Sequence, residues 1–113
     1  MFEVVENMEI KDVVDDDITV KNTARLTVRG GAVVNGSITL EGGAYLLSEG
    51  TINGSLFVSD ESRAEIHGFL EGDKIVAEGE VYIYGNVKVK EIDGHVKYHM
   101  GSVVNGTYNP DID

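Results

Sequence analysis

Apolar residues recur at every sixth position over much of the chain, and this spacing is the strongest pattern in the sequence. Nine consecutive members of one such series are apolar. They are Val28, Val34, Leu40, Leu46, Ile52, Val58, Ala64, Leu70 and Val76. Within the series the local alternation has a period of two, as in Ile38-Thr39-Leu40, whereas a helix would need apolar spacings of three and four. The pattern therefore predicts short strands joined by turns.

Three six-residue units make a turn of about 18 residues, and columns of like residues keep nearly that interval. After Val76 the phase slips by one residue and then resumes. The columns are Val34, Ile52, Leu70, Val87 and Val104, then Gly36, Gly54 and Gly72, and then Gly50, Gly68 and Gly85. The phrase Asn-Gly-Ser occurs at 35–37 and again at 53–55. Because Asn and Gly tolerate a positive φ, we interpret these phrases as corners between strands.

A strand and a corner repeated three times per turn predict an all-β, single-domain, three-sided parallel β-solenoid. The sequence accommodates 5–6 rungs of 17–18 residues. Residues 18–107 form the predicted solenoid, residues 1–17 an N-terminal cap or an irregular first rung, and residues 108–113 a C-terminal tail. Asp15-Asp16-Asp17 is predicted to be a solvated loop.

The composition of the chain restricts the candidate binding partners and the candidate cellular compartment. The chain has 20 acidic and 9 basic residues and a net charge of −11, which argues against nucleic acid and leaves a basic protein as a candidate partner. It has no cysteine, so disulfides and thiolate metal sites are excluded, and this suits a reducing cytoplasm. We expect neither a signal peptide nor a membrane span, because no apolar run approaches the ~20 residues that a span needs.

The histidines are the main candidates for chemistry, and each has an alternative explanation as a surface residue. On one strand, His95 and His99 would lie about 13 Å apart, too far for a single tetrahedral metal. His67 and Glu65 share an outward face and could form a general base, but an exposed histidine on a solenoid face is the favoured explanation. We find no nucleophile elbow and no phosphate loop, so we predict no catalytic residue, metal or cofactor.

The open ends of a solenoid suggest a different kind of site. Each end shows unpaired N–H and C=O groups above an apolar core, and such edges either are capped or pair with another molecule. An end-to-end contact is heterologous and produces filaments when it does not close. The predicted self-association residues are Ile18, Val20 and Leu26 in the first rung and Val103, Val104 and Tyr108 in the last rung. Outward residues that could add a lateral contact, most of them with apolar groups, are Thr39, Tyr45, Leu47, Phe57, Phe69, Tyr82 and Tyr84.

Residues 24–107 resemble the bactofilins, a family of polymer-forming bacterial cytoskeletal proteins. The resemblance rests on Ala-x-Val/Ile-x-Gly-x-Ile/Leu phrases, represented here by residues 64–70 and 32–38. It implies a right-handed β-helix that self-assembles without a nucleotide. The short membrane-binding segment of that family has only Met1-Phe2 as a counterpart here, which argues against a membrane partner.

Three functional hypotheses follow. The favoured one is a non-enzymatic, cytoplasmic scaffold that self-associates through its ends into filaments or oligomers. The second is an acidic immunity-type or inhibitory protein that binds a basic partner such as a toxin, which would require carboxylates clustered on one face. The third is an enzyme, because the repeat also resembles left-handed β-helix acyltransferases and γ-type carbonic anhydrases, which need a trimer and its clefts.

Overall fold

The alternation of inward and outward residues produces a stack of parallel strands with about six turns in the computed structural model. The structure describes residues 2–99, 102–105 and 107–109, with the backbone alone at 95 and 107–109. Within these residues all regular structure is strand, so the predicted all-β solenoid is confirmed. No helix in the described part of the chain is long and apolar enough to cross a membrane.

The strands form three faces, which we call A, B and C in the order in which the chain visits them. Face A contains β1 (Phe2–Val4), β4 (Ile18–Val20), β7 (Ile38–Leu40) and β10 (Leu56–Val58). Face B contains β2 (Met8–Ile10), β5 (Arg25–Val28), β8 (Tyr45–Ser48) and β11 (Arg63–Ile66). Face C contains β3 (Val13–Val14), β6 (Val33–Val34) and β9 (Thr51–Asn53).

Two longer strands continue the stack around the corners. They are β12 (Phe69–Ile83) and β13 (Asn86–Tyr98), each of which contributes successively to faces C, A and B. The last described strands lie on face C and are β14 (Ser102–Val104) and β15 (Thr107–Asn109). β15 pairs with β14 antiparallel, whereas every other pair among the described strands is parallel.

Inward side chains stack in columns that run the length of the prism. The predicted column is confirmed, because the register pairs Val34 with Ile52, Ile52 with Leu70, Leu70 with Val87 and Val87 with Val104. On face A the corresponding column is Phe2, Ile18, Ile38, Leu56, Ile75 and Ile92. On face B it is Met8, Leu26, Leu46, Ala64, Val81 and Val96. The interior members are buried, so the core is a narrow apolar prism of aliphatic side chains.

The turns are less uniform than the six-residue count predicts. Ile18 pairs with Ile38, a step of 20 residues, whereas Ile38 pairs with Leu56, a step of 18. Leu56 then pairs with Ile75, a step of 19, because one additional residue lies at the corner after Leu70. The phase slip therefore precedes Val76 rather than following it. Since a shift of one residue reverses the side-chain direction in a strand, Val76 lies half-buried on the outer surface opposite Phe57.

The Asn-Gly-Ser corners repeat because each of their three residues contacts its counterpart in the next rung. Asn53 Nδ2 donates to Asn35 Oδ1 at 2.8 Å, and the Ser55 amide donates to Ser37 Oγ at 3.1 Å. Between them, Gly54 lies so close to the Gly36 carbonyl that a methyl group on Gly54 would overlap it. The side chains of consecutive corners thus form hydrogen-bonded ladders beside a stack of glycines.

These contacts show that the glycine columns do not depend on the tolerance of glycine for a positive φ, contrary to what the sequence suggested. The glycines with left-handed φ are Gly31, Gly42, Gly43 and Gly94, which belong to none of the predicted columns. Gly54 and Gly68 have φ values outside that region, and they are glycine because a Cβ would meet the backbone of the preceding rung. Close approach of the rungs, rather than backbone conformation, therefore requires glycine in the columns.

The predicted loop Asp15-Asp16-Asp17 occupies the same corner one rung earlier. All three residues are exposed, yet Asp15 Oδ1 accepts a hydrogen bond from Asn35 Nδ2 at 2.6 Å. Asp17 Oδ1 accepts one from the Ser37 amide at 2.8 Å. Both ladders therefore begin at carboxylates. An ionised carboxylate has no proton to donate, so it serves only as an acceptor.

Candidate functional site

The N-terminal end of the solenoid is an apolar surface bordered by open strand edges. Strands β1, β2 and β3 each pair with a single strand of the second rung among the described residues, so their outer N–H and C=O groups face away from the stack. Phe2, Met8 and Val14 begin the three inward columns and are only partly buried. Together they form the floor of the prism at this end.

The exposure of valine distinguishes this end from the rest of the molecule. Among the described residues, the large hydrophobic side chains classed as exposed are Val5 at 51% and Val13 at 58%, and both belong to the first rung. Val13 lies on β3, an edge strand. A two-residue strand with an exposed valine and unpaired backbone groups is a template for pairing with another chain.

The C-terminal end has a similar floor but a different border. Ile92, Val96 and Val104 close the three columns and are partly buried, with Tyr98 beside them. On faces A and B, the last segments of β13 have no further strand beyond them among the described residues. On face C, the outer edge of β14 is covered by β15.

The structure places the predicted self-association residues unequally. Ile18, Val20 and Leu26 lie in the second rung and are at most 1% exposed, because Phe2, Val4 and Met8 stack directly on them. The exposed N-terminal edge is therefore one rung nearer the start of the chain than the sequence placed it.

At the other end, two of the predicted residues lie in the last rung of the stack. Val103 and Val104 are half-buried in β14. The backbone of Tyr108 pairs with that of Val103, so it belongs to the strand that covers this edge. The predicted C-terminal residues thus identify both the edge and its cover.

The residues of the first rung were not chosen as the end residues, because the spacing of this rung is irregular. Its inward residues Phe2, Met8 and Val14 lie 16, 18 and 20 residues before their partners Ile18, Leu26 and Val34. A search at a fixed interval does not align all three. The alternation of Phe2-Glu3-Val4 and Met8-Glu9-Ile10 is the sequence signal that could have shown two of these strands.

Face B carries Glu65 and His67, the pair that the sequence suggested as a general base. Glu65 accepts a hydrogen bond from Tyr45 Oη at 2.7 Å, lies 3.2 Å from His67 Nε2 and forms an ion pair with Arg63 at 3.5 Å. Burial opposes ionisation of Glu65, but the two hydrogen bonds and Arg63 outweigh it and hold its pKa below the ordinary value. Burial, followed by the hydrogen bond to Glu65, raises the pKa of Tyr45 to about 12.

The outer rings of face B stack on one another from rung to rung. His67 and Tyr84 have ring centroids 4.2 Å apart, and Tyr84 and His99 have centroids 4.0 Å apart, with nearly parallel planes. Arg25 lies over the Tyr45 ring and Arg63 over the Tyr82 ring. The charged groups of this face thus contact one another within the face, and the stacked rings link neighbouring rungs.

The described residues do not bring the other candidate residues together into one site. No group of three His, Asp or Glu side chains among the described residues could hold a metal ion. The side chain of His95 lies outside the described atoms. The predicted lateral residues are half-buried and divided among the faces, with Thr39 and Phe57 on face A, Phe69 on face C, and Tyr45, Leu47, Tyr82 and Tyr84 on face B.

Comparison of the chain with protein-family models, with curated proteins and with solved structures found no match. The function of the protein is therefore inferred from its geometry.

Proposed function

We propose that this protein is a non-enzymatic scaffold that self-associates through the ends of its solenoid into oligomers or filaments, as the resemblance to bactofilins implies. The observation that carries the proposal is the N-terminal end. It combines three open strand edges, a partly buried apolar floor, and Val5 and Val13 with more than half of their surface exposed. Pairing with a second copy would satisfy the backbone groups and bury the valines at the same time.

The absence of cysteine supports placing this scaffold in the reducing cytoplasm. The acidic-inhibitor hypothesis is the alternative, and it draws on exposed carboxylates at two corners of the prism. They occupy the corner between faces A and B, for example at Glu41 and Glu61, and the corner between faces C and A, for example at Asp16 and Asp73. Both corners border face A, where a basic partner would bind. The end-to-end proposal is preferred because it also accounts for the open strand edges.

A substitution at the end of the stack tests the proposal. We expect Val13→Lys to keep the fold but prevent association, because a lysine on an edge strand opposes pairing with another chain. The matched control is Val33→Lys, which makes the same change in the same outward column one rung further into the stack. Light scattering over a concentration series, with negative-stain microscopy, measures the mass and shape of each variant.

The wild-type protein and Val33→Lys should increase in mass with concentration, whereas Val13→Lys should remain monomeric. A wild-type protein that remains monomeric at high concentration and moderate salt would overturn the proposal. Equal assembly by both variants would show that the contact does not use the N-terminal edge.

A further inference from the structure

The strand that covers the C-terminal edge of face C departs from the architecture of the rest of the molecule. β15 runs antiparallel to β14, with Ser102 opposite Asn109, Val103 opposite Tyr108 and Val104 opposite Thr107. It occupies the place beside β14 that the next parallel strand of the solenoid would take. Edge strands in natural proteins are commonly protected by such a cover.

The corner that leads into β15 is a third copy of the repeated corner sequence. Asn-Gly-Ser at 35–37 and 53–55 carries the chain around the prism to face A, whereas after Asn105, which begins the sequence Asn-Gly-Thr, the chain runs back along face C. Asn105 has a φ of 52°, while Asn35 and Asn53 lie outside the left-handed region. Nearly the same three residues therefore support two chain directions, and Asn enters the left-handed conformation at little cost.

Among the described residues, two hydrogen bonds of Asn105 hold the reversal to the preceding rung. Asn105 Oδ1 accepts a hydrogen bond from the Val89 amide at 2.8 Å, and the Asn105 amide donates one to the Val87 carbonyl at 2.8 Å. In addition, β15 is joined to the stack by a three-residue antiparallel ladder. An isolated two-stranded pairing of this length is marginal in water.

We propose that the outer edge of β14 is a docking edge for a strand of a second copy, and that β15 is a displaceable cap that closes it in the monomer. Release of β15 uncovers the N–H and C=O groups of β14 and the outer side of Val104, the last member of its column. The N-terminal end offers the same combination of an edge strand and a partly buried valine, and no strand among the described residues covers it. Growth of the assembly at the C-terminal end is then regulated by the position of β15.

This inference rests on the proposed function and adds its regulation. When only a fraction of the molecules has the cap displaced, the apparent association constant at that end is reduced by the same fraction. If β15 is released in about one molecule in a hundred, removing it strengthens association at this end about a hundredfold.

Two variants test the cap, one that removes it and one that locks it. Truncation after Asn105 deletes β15. In the full chain, Val103→Cys with Tyr108→Cys introduces a disulfide across a registered pair, whose Cα spacing of about 4.5–5.5 Å in an antiparallel ladder suits that bond. The native chain has no cysteine, so this disulfide would be unique, and the same variant in its reduced form is the control.

We expect truncation to increase the average mass measured by sedimentation at equal concentration and to produce long assemblies. The oxidised double variant should keep only the association that uses the N-terminal end, and reduction should restore the wild-type distribution. Circular dichroism establishes that each variant is folded.

The two levels of the proposal fail differently. If the wild-type protein assembles and both truncation and oxidation leave its mass distribution unchanged, β15 is not a cap, although the scaffold function stands. If neither the wild-type nor the truncated protein assembles, the scaffold function fails and the cap fails with it.

Discussion

A methyl group added at Gly54 tests whether the rungs are as closely stacked as the structure shows. The Cβ of an alanine here would lie 2.7 Å from the Ser37 amide nitrogen and nearer still to the Gly36 carbonyl. Ordinary carbon–oxygen contacts between strands measure about 3.3–3.6 Å. The two rungs would therefore have to separate by more than about 1 Å at this corner.

The expected cost follows from which atoms would have to move. Inserting a methylene group into a packed core costs about 1–3 kcal/mol when neighbouring side chains can adjust. Here the obstructing atoms are backbone, and hydrogen bonds hold the rungs together, for example from the Ser55 amide to Ser37 Oγ. We expect Gly54→Ala to lower the free energy of unfolding by about 3 kcal/mol or more, the upper end of that range.

Gly30→Ala is the matched control. Gly30 lies at a corner where a Cβ would meet no atom within 4 Å, and its φ is outside the left-handed region. Alanine there should be neutral or stabilise the protein by up to about 1 kcal/mol, because it restricts the unfolded chain.

Urea unfolding of both variants, followed by circular dichroism, gives the midpoints and slopes. A Gly54→Ala protein as stable as the wild type, or a Gly30→Ala protein destabilised to the same extent, would refute the close-stacking explanation of the glycine columns.

Three further predictions concern the core and face B. Leu70→Asp should abolish folding, because it places an unpaired carboxylate at a fully buried position between Ile52 and Val87. Such a carboxylate costs more than about 4 kcal/mol. A native circular dichroism spectrum from this variant would contradict the stacked column. Ser48→Ala should raise the free energy of unfolding by about 1 kcal/mol, because the buried Ser48 hydroxyl has no hydrogen-bond partner among the described residues; a loss of stability in urea would indicate that the hydroxyl is satisfied. Tyr45 has a folded pKa of about 12 against an ordinary 10.0, so its stabilising contribution is complete below pH 10 and is lost as the pH rises through 12. In a titration of tyrosinate absorbance, Tyr45→Phe should remove a step near pH 12, and a wild-type curve without that step would contradict the Tyr45–Glu65 contact.

The fold could be predicted from the sequence because the same packing contacts recur in every rung of a solenoid. Each inward position in a rung packs on the corresponding position of the next rung, so the column from Val34 to Val104 appears in the sequence as a nearly constant interval. The same repetition made Gly54 and Gly68 visible before their contacts were known. Their physical reason was assigned incorrectly, because a sequence interval shows that a residue recurs without showing what it touches.

The ends were harder to predict, since repetition stops there. The first rung keeps the alternation of apolar residues but has no preceding rung that fixes its length, and its intervals to the second rung vary from 16 to 20 residues. At the other end, Asn105 has the sequence of a corner and the conformation of a reversal. Whether a chain continues or turns back is decided by packing that the local sequence does not encode.

The Tyr45–Glu65–His67 network was only partly visible for a related reason. Alternation placed Glu65 and His67 on one face, and the structure brings their side chains within 3.2 Å. The partners Tyr45 and Tyr84 come from other rungs, and their proximity depends on how those rungs are aligned. The irregular turn lengths conceal that alignment from a count at a fixed interval.

Small-angle scattering over a concentration series tests the central claim, which is that copies join end to end along the solenoid axis. The isolated molecule has a Cα radius of gyration of 12.6 Å and principal extents of 36 × 28 × 20 Å. The account predicts that the overall radius of gyration rises with concentration while the radius of gyration of the cross-section stays constant. A radius that stays at the single-molecule value, or a cross-section that widens as the particles grow, would contradict it.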